Sequence, residues 1–162
     1  MMKTTIFLLG FGLWTLLFGC SGADTKGKWI KGEPDDQLEA IERHFRGFDV
    51  AMVETGYRYK ELYWAGMDEN WEYARYQLEK IKVAVENGLE RRPARAASAQ
   101  PFLKEAIPGL FAVLDQPHPA SFEQEFKVFT AHCNSCHQME NVPHFTVRPP
   151  KRVNSIIQQP AE

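Results

Sequence analysis

Ser121-Phe122-Glu123-Gln124-Glu125-Phe126-Lys127-Val128-Phe129-Thr130-Ala131-His132-Cys133-Asn134-Ser135-Cys136-His137 reads as one amphipathic helix. Phe122, Phe126, Phe129, Cys133 and Cys136 follow one another at steps of four, three, four and three residues, the steps that keep side chains on one stripe of an α-helix. Three phenylalanines make that stripe the inward one, so both thiols are aimed into the protein instead of at solvent. Ser121 with Gln124 has the capping-box pattern and is expected to open the helix, while Val142-Pro143 is expected to end it.

Upstream of this helix the same periodicity recurs. Leu38, Ile41, Phe45, Phe48, Met52, Thr55, Tyr59 and Leu62 alternate at steps of three and four, which predicts a long first helix over about 36–66, with Gly66 as its stop. Asp68 or Asn70 is placed to cap a second helix over about 70–87, whose inward residues are Trp71, Ala74, Leu78, Ile81, Val85 and Leu89. Glu90-Arg91-Arg92-Pro93-Ala94-Arg95 reads as a basic loop. A third helix is expected over about 98–114, with Pro108 kinking or breaking it. Asp115-Gln116-Pro117-His118-Pro119 is a rigid turn. No alternating strand pattern competes, so the chain is expected to be all-α, an antiparallel four-helix bundle over 37–150.

The ends of the chain carry a different signal. Lys3 precedes an almost unbroken apolar run from Ile6 to Phe18, too short for a membrane span and suited to a signal-peptide core. It ends in Leu17-Phe18-Gly19-Cys20, which resembles a bacterial lipobox. That resemblance implies removal of residues 1–19, a diacylglycerol on Cys20, and a membrane anchor on the periplasmic side of the envelope. Ser21, a residue other than Asp after that cysteine, favours the outer membrane. Residues 20–36, rich in Gly, Asp and Lys, read as a flexible tether, and 151–162 as a C-terminal tail. The 162 residues suit one such domain. A net charge of −2 gives no basic excess for nucleic acid.

Cysteine usage then closes. Of the three cysteines, one goes to lipid and two stand in Cys133-Asn134-Ser135-Cys136-His137, leaving none for a disulfide. Two thiols one helical turn apart point the same way and can bond to the two vinyl groups on one edge of a haem. The histidine that follows can reach the iron as proximal ligand. An export signal puts the chain where haem c is attached. The competing reading is a zinc site made by Cys133, Cys136, His137 and a fourth ligand such as His144. A thioredoxin-like redox pair lacks its βαβ context.

A haem motif near the C-terminus, on the last helix of a four-helix bundle, resembles the cytochrome c prime superfamily. Tyr63-Trp64-Ala65-Gly66-Met67-Asp68-Glu69-Asn70-Trp71 and the residues following it also resemble a group of exported bacterial haem proteins. The resemblance implies one covalent haem c on a bundle. One departure matters: this chain continues for 25 residues past His137, enough to cover the haem edge and change its access.

The sixth position on the iron decides between an electron carrier and a gas-binding protein. His44 and Met52 are the candidates from the first helix, with Phe45, Phe48 and Met52 as an apolar distal wall. His132 points off the stripe, His118 lies in a turn, and His144 and Met139 are too close in sequence to cross to the other face. Met67 belongs to the opposite end. Arg91 and Arg92, with Arg95 beside them, are expected near the haem propionates. Trp64, Trp71, Tyr73 and Tyr76 read as packing residues. The expected function is electron transfer to a redox partner protein. The alternatives are capture of nitric oxide or carbon monoxide at a five-coordinate iron, and a haem-free zinc lipoprotein. A peroxidase is disfavoured because no distal His-Arg pair can be assigned. A homodimer through the first helix is compatible with the pattern, although nothing in the sequence requires one.

Overall fold

The structure, a computed structural model, describes residues 29–151. Cys20, the apolar run before it, the first part of the tether and the residues after Lys151 lie outside them. Among the described residues every regular element is helical, and no helix is long and apolar enough to cross a membrane.

Of the described residues, 29–42 belong to one unit. It holds most of α1, Pro34–Phe45, with the Asp36 carboxylate accepting from the Glu33 N–H at 3.1 Å. The long first helix expected over 36–66 is two helices, because α1 ends at Phe45 and α2 spans Phe48–Met67. Arg46 sits at φ 60°. The Gly47 N–H, which a continuous helix would use internally, instead donates to the Asp49 carboxylate at 3.1 Å. A side chain offering the backbone a local partner, next to a glycine with poor helix propensity, is enough to end a helix.

Residues 43–151 belong to the second unit. In it α2 packs on α3, Trp71–Arg91, and on α6, Pro119–Met139; both of these pack on α5, Ile107–Asp115. Leu62, Leu78, Ile81, Ile107, Leu110, Phe122, Phe126 and Phe129 meet between them and are fully buried. Burying a phenylalanine contributes about 2–3 kcal/mol of transfer free energy. Three of them therefore decide which face of α6 turns inward, and Cys133 and Cys136 are carried with that face.

Gly66 and Gly88 lie inside their helices, α2 ending one residue past Gly66 at Met67, and each makes room for a neighbour. α2 runs through Gly66, whose missing Cβ makes room for Phe122: an added Cβ would lie 2.1 Å from that ring. α3 likewise runs past Asn87 to Arg91, and a Cβ on Gly88 would lie 2.8 Å from the Cβ of Ala51. Asn70 caps α3 as expected, its side chain accepting from the Tyr73 N–H at 3.3 Å. Asn70→Ala should lower the unfolding free energy by about 1 kcal/mol in urea denaturation, while Asn70→Asp leaves it nearly unchanged.

The region read as a basic loop contains the end of α3 and a single 3-10 turn, Pro93–Arg95, that leads into α4, Ala96–Pro101. The third helical stretch is interrupted just before Pro108, where the α-helical ladder gives way to a wider turn. Phe102–Ala106 is a π-type turn in which the Ile107 N–H reaches back to the Phe102 carbonyl, and α5 follows. Widening the turn just before Pro108 accommodates a residue that has no N–H to give. The capping box is also overridden, since α6 starts at Pro119 with His118 as its cap, Nδ1 accepting from the Ala120 N–H at 3.2 Å. Proline at the first helical position is preorganised for this start.

Candidate cofactor site

The inward stripe of α6 leads to a cavity of about 460 Å³, within the roughly 300–1,000 Å³ that cofactor pockets occupy. Cys133, Cys136 and His137 of α6, with Glu140 just beyond its end, form one wall. Asp49, Met52, Val53, Thr55, Gly56 and Tyr59 form the α2 wall, with Phe48 at the start of that helix. Val85, Arg95, Ala99 and Phe102 close the floor, and Val142, Phe145 and Val147 come from the chain that returns after α6. The surface is mostly apolar because α2 and α6 both present hydrophobic residues there at helical spacing.

The two thiols differ in setting. Burial pushes the Cys133 thiol up to about 12, with Cys136 nearby adding to the shift. Burial also raises Cys136, against the lowering influence of the Ser98 hydroxyl. Both sulfurs are thus protonated at neutral pH, the opposite of the depressed values that make a thiol a ready nucleophile or redox centre. Burial likewise pushes the Tyr59 phenol up to about 12. Its hydroxyl is paired with Thr130 at 2.7 Å, and Thr130 in turn donates to the Phe126 carbonyl at 2.7 Å.

His137 is half-buried and oriented. Its Nδ1 lies 2.5 Å from the carbonyl oxygen of Phe145. A carbonyl only accepts, so in the neutral ring Nδ1 is the protonated nitrogen and Nε2 has the lone pair that a metal would take. That is the state required of a histidine that ligates iron, with a backbone carbonyl as its outer partner.

Two further features of the cavity fit a large flat ligand. The Thr55 hydroxyl is buried and has no hydrogen-bond partner, although a helical threonine ordinarily bonds the carbonyl one turn back, as Thr130 does here. Gly56 lines the same wall, and a Cβ there would meet no atom within 4 Å. Unlike Gly66 and Gly88, it has no protein neighbour that accounts for the missing side chain.

The structure brings together Cys133, Cys136, His137 and Met52. It does not bring His44, which is an exposed residue of α1 outside the cavity wall. Phe45 is 62% exposed and belongs to no distal wall; the break at Arg46-Gly47 separates it from Phe48 and Met52. Arg91 and Arg92 turn to the Gly47 side instead. The Arg91 guanidinium donates to the Gly47 carbonyl at 3.4 Å, and a Cβ on Gly47 would lie 3.1 Å from the Arg92 guanidinium. Arg95 is the cation that reaches the cavity. It is paired with Glu140 and stands 5.8 Å from the centre of the Phe48 ring.

His118, His132 and His144 are outside the cavity wall, as are the exposed Met67 and Met139. Trp71 packs on Phe122 at 5.9 Å between ring centres, whereas Tyr76 is largely exposed. The spacing alone does not bring Ala99, Phe102 and Glu140 to this cavity. They come from three elements, and no single periodic pattern links them. Among the described residues no three His, Cys, Asp or Glu side chains are grouped to hold a metal ion. No family model matches the chain, and no curated protein or solved structure is similar to it.

Proposed function

We propose that the chain is an exported, lipid-anchored monohaem c-type cytochrome of the four-helix-bundle kind. In this reading Cys133 and Cys136 hold haem c, His137 is the proximal ligand, and the protein carries electrons to a redox partner protein on the periplasmic side. The observation that carries the reading is the meeting of both thiols, an imidazole with a free Nε2 and the Met52 thioether on the walls of one apolar cavity. When bound, haem c supplies a one-electron ferrous–ferric couple.

Each residue then has a task. The Cys133 and Cys136 thiols would hold the group by adding S–H across its vinyl groups, an addition that needs no oxidant. His137 offers Nε2, and Phe145 holds its Nδ1 proton. Phe48 and Phe102 would shield the bound group from water, and the Met52 thioether, a ligand that raises the potential, would be available to its iron. Arg95 supplies the positive charge at the rim in place of Arg91 and Arg92.

A second reading is favoured by the Thr55 hydroxyl, a polar group without a partner on the wall opposite His137's helix. It would hydrogen-bond a nitric oxide or carbon monoxide held on a five-coordinate iron. The absorption spectrum of the purified protein separates the two. A low-spin reduced spectrum that Met52→Ala converts to a high-spin, carbon monoxide-binding one supports electron transfer with Met52 on the iron. High-spin bands in the unmodified protein that shift with carbon monoxide support gas capture. Absence of haem absorbance removes both.

A further inference from the structure

The chain beyond α6 returns to the haem motif and is fastened there by a residue that no haem chemistry requires. Asn134, between the two cysteines, uses both ends of its side-chain amide on one residue. Its Oδ1 accepts from the Val147 N–H at 2.8 Å and its Nδ2 donates to the Val147 carbonyl at 3.0 Å. Two residues before Val147 is Phe145, whose carbonyl holds the Nδ1 proton of His137. Asn134 and His137 are one turn apart on α6 and so face the same returning strand of chain.

The return itself is built by local bonds. Asn141 takes a left-handed φ of 60° just after α6. The Val142 N–H donates to the His137 carbonyl at 2.9 Å and the Phe145 N–H to the Val142 carbonyl at 3.0 Å. These bonds shape the loop but do not hold its far end to the helix. The Asn134 clasp does, two residues past the carbonyl that matters.

We infer that Asn134 is a positioning residue for the proximal ligand: by clasping Val147 it keeps the Phe145 carbonyl on His137 and thereby sets the basicity of the imidazole. This rests on the haem reading above. A backbone carbonyl held on Nδ1–H increases the electron density that Nε2 gives to iron, which favours the oxidised state. Without the clasp the Phe145 carbonyl exchanges His137 for water, and the reduced state gains.

The test uses full-length, haem-loaded protein and redox titration. Asn134→Leu, which keeps the size and removes both bonds without adding charge, raises the ratio of reduced to oxidised protein at a fixed applied potential by about tenfold. Val147→Pro, which removes the donor at the other end of the clasp, shifts it in the same direction. The double variant shifts no further than the single ones. In the unsubstituted holoprotein the Val147 amide is protected from hydrogen exchange. An unchanged potential in Asn134→Leu that retains its haem, additive shifts in the double variant, or a Val147 amide exchanging at the free-chain rate each overturns the inference and leaves the cytochrome reading standing. Absence of covalent haem from the unsubstituted protein overturns the two together.

Discussion

Full-length protein carrying Cys133→Ser together with Cys136→Ser is expected to lose all covalently held haem. Acidified organic solvent then strips every trace of porphyrin from the denatured polypeptide. From the unsubstituted chain the same treatment leaves the colour with the protein, and the intact mass exceeds the polypeptide mass by one haem. The expectation is all-or-none because serine keeps the shape of cysteine but does not add across a vinyl group. Cys133 has the more buried thiol and Cys136 lies beside Ser98, and in the proposed attachment each would make one of the two links. Each single serine variant therefore keeps one thioether and retains haem on denaturation. The helical circular dichroism should be preserved in all three variants, because neither thiol donates or accepts a bond on which α6 depends. A double variant that still carries its porphyrin through denaturation would remove the attachment chemistry from this cavity.

Much of this arrangement is readable from residue spacing, and the reasons it is readable also mark where reading stops. The all-helical class and the inward stripe of α6 follow from a 3.6-residue period sustained over several turns, which nothing local contradicts. The break at Arg46-Gly47 is invisible to that period: the apolar steps run straight across it, and a single carboxylate, Asp49, takes the Gly47 N–H. The spacing marks Gly66 as the end of a helix, a role glycine often has, and Gly88 lies just past the expected end of the next. Here each is the low point of a helix surface into which a neighbour packs, and identity alone does not separate those roles. The arginines show the same limit. Arg91, Arg92 and Arg95 lie within one turn in sequence, but the 3-10 turn Pro93–Arg95 rotates only the last toward the cavity. The Asn134 clasp joins a side chain to backbone thirteen residues away, and backbone groups leave no mark in a sequence.

Gly66→Ala tests the packing role directly and should be the most destabilising methyl in the protein. The new Cβ would lie 2.1, 2.2 and 2.6 Å from three atoms of the Phe122 ring, where only one side can yield. Phe122 is fully buried, between Trp71 at 5.9 Å and Phe126 at 5.7 Å, so its ring has nowhere to swing. Overpacking a filled core costs about 1–3 kcal/mol, and this site belongs at or above the upper end, about 3 kcal/mol, which is roughly 10 °C in melting temperature for a domain of this size. Pairing it with Phe122→Leu should recover part of the loss, so that the double variant is more stable than the sum of the singles predicts. The opposite sign is expected at Gly56, where the added Cβ meets no protein atom. In the Cys133→Ser, Cys136→Ser background, without porphyrin, Gly56→Ala should raise stability by about 0.5–1 kcal/mol through helix propensity alone. In the haem-loaded protein that gain should vanish or reverse, because the space beside Gly56 is then filled. Thermal unfolding of the four variants, with and without the cofactor, thus reports on the wall of the cavity as well as on the core. A gain at Gly56 that persists unchanged in the loaded protein would place the porphyrin away from α2.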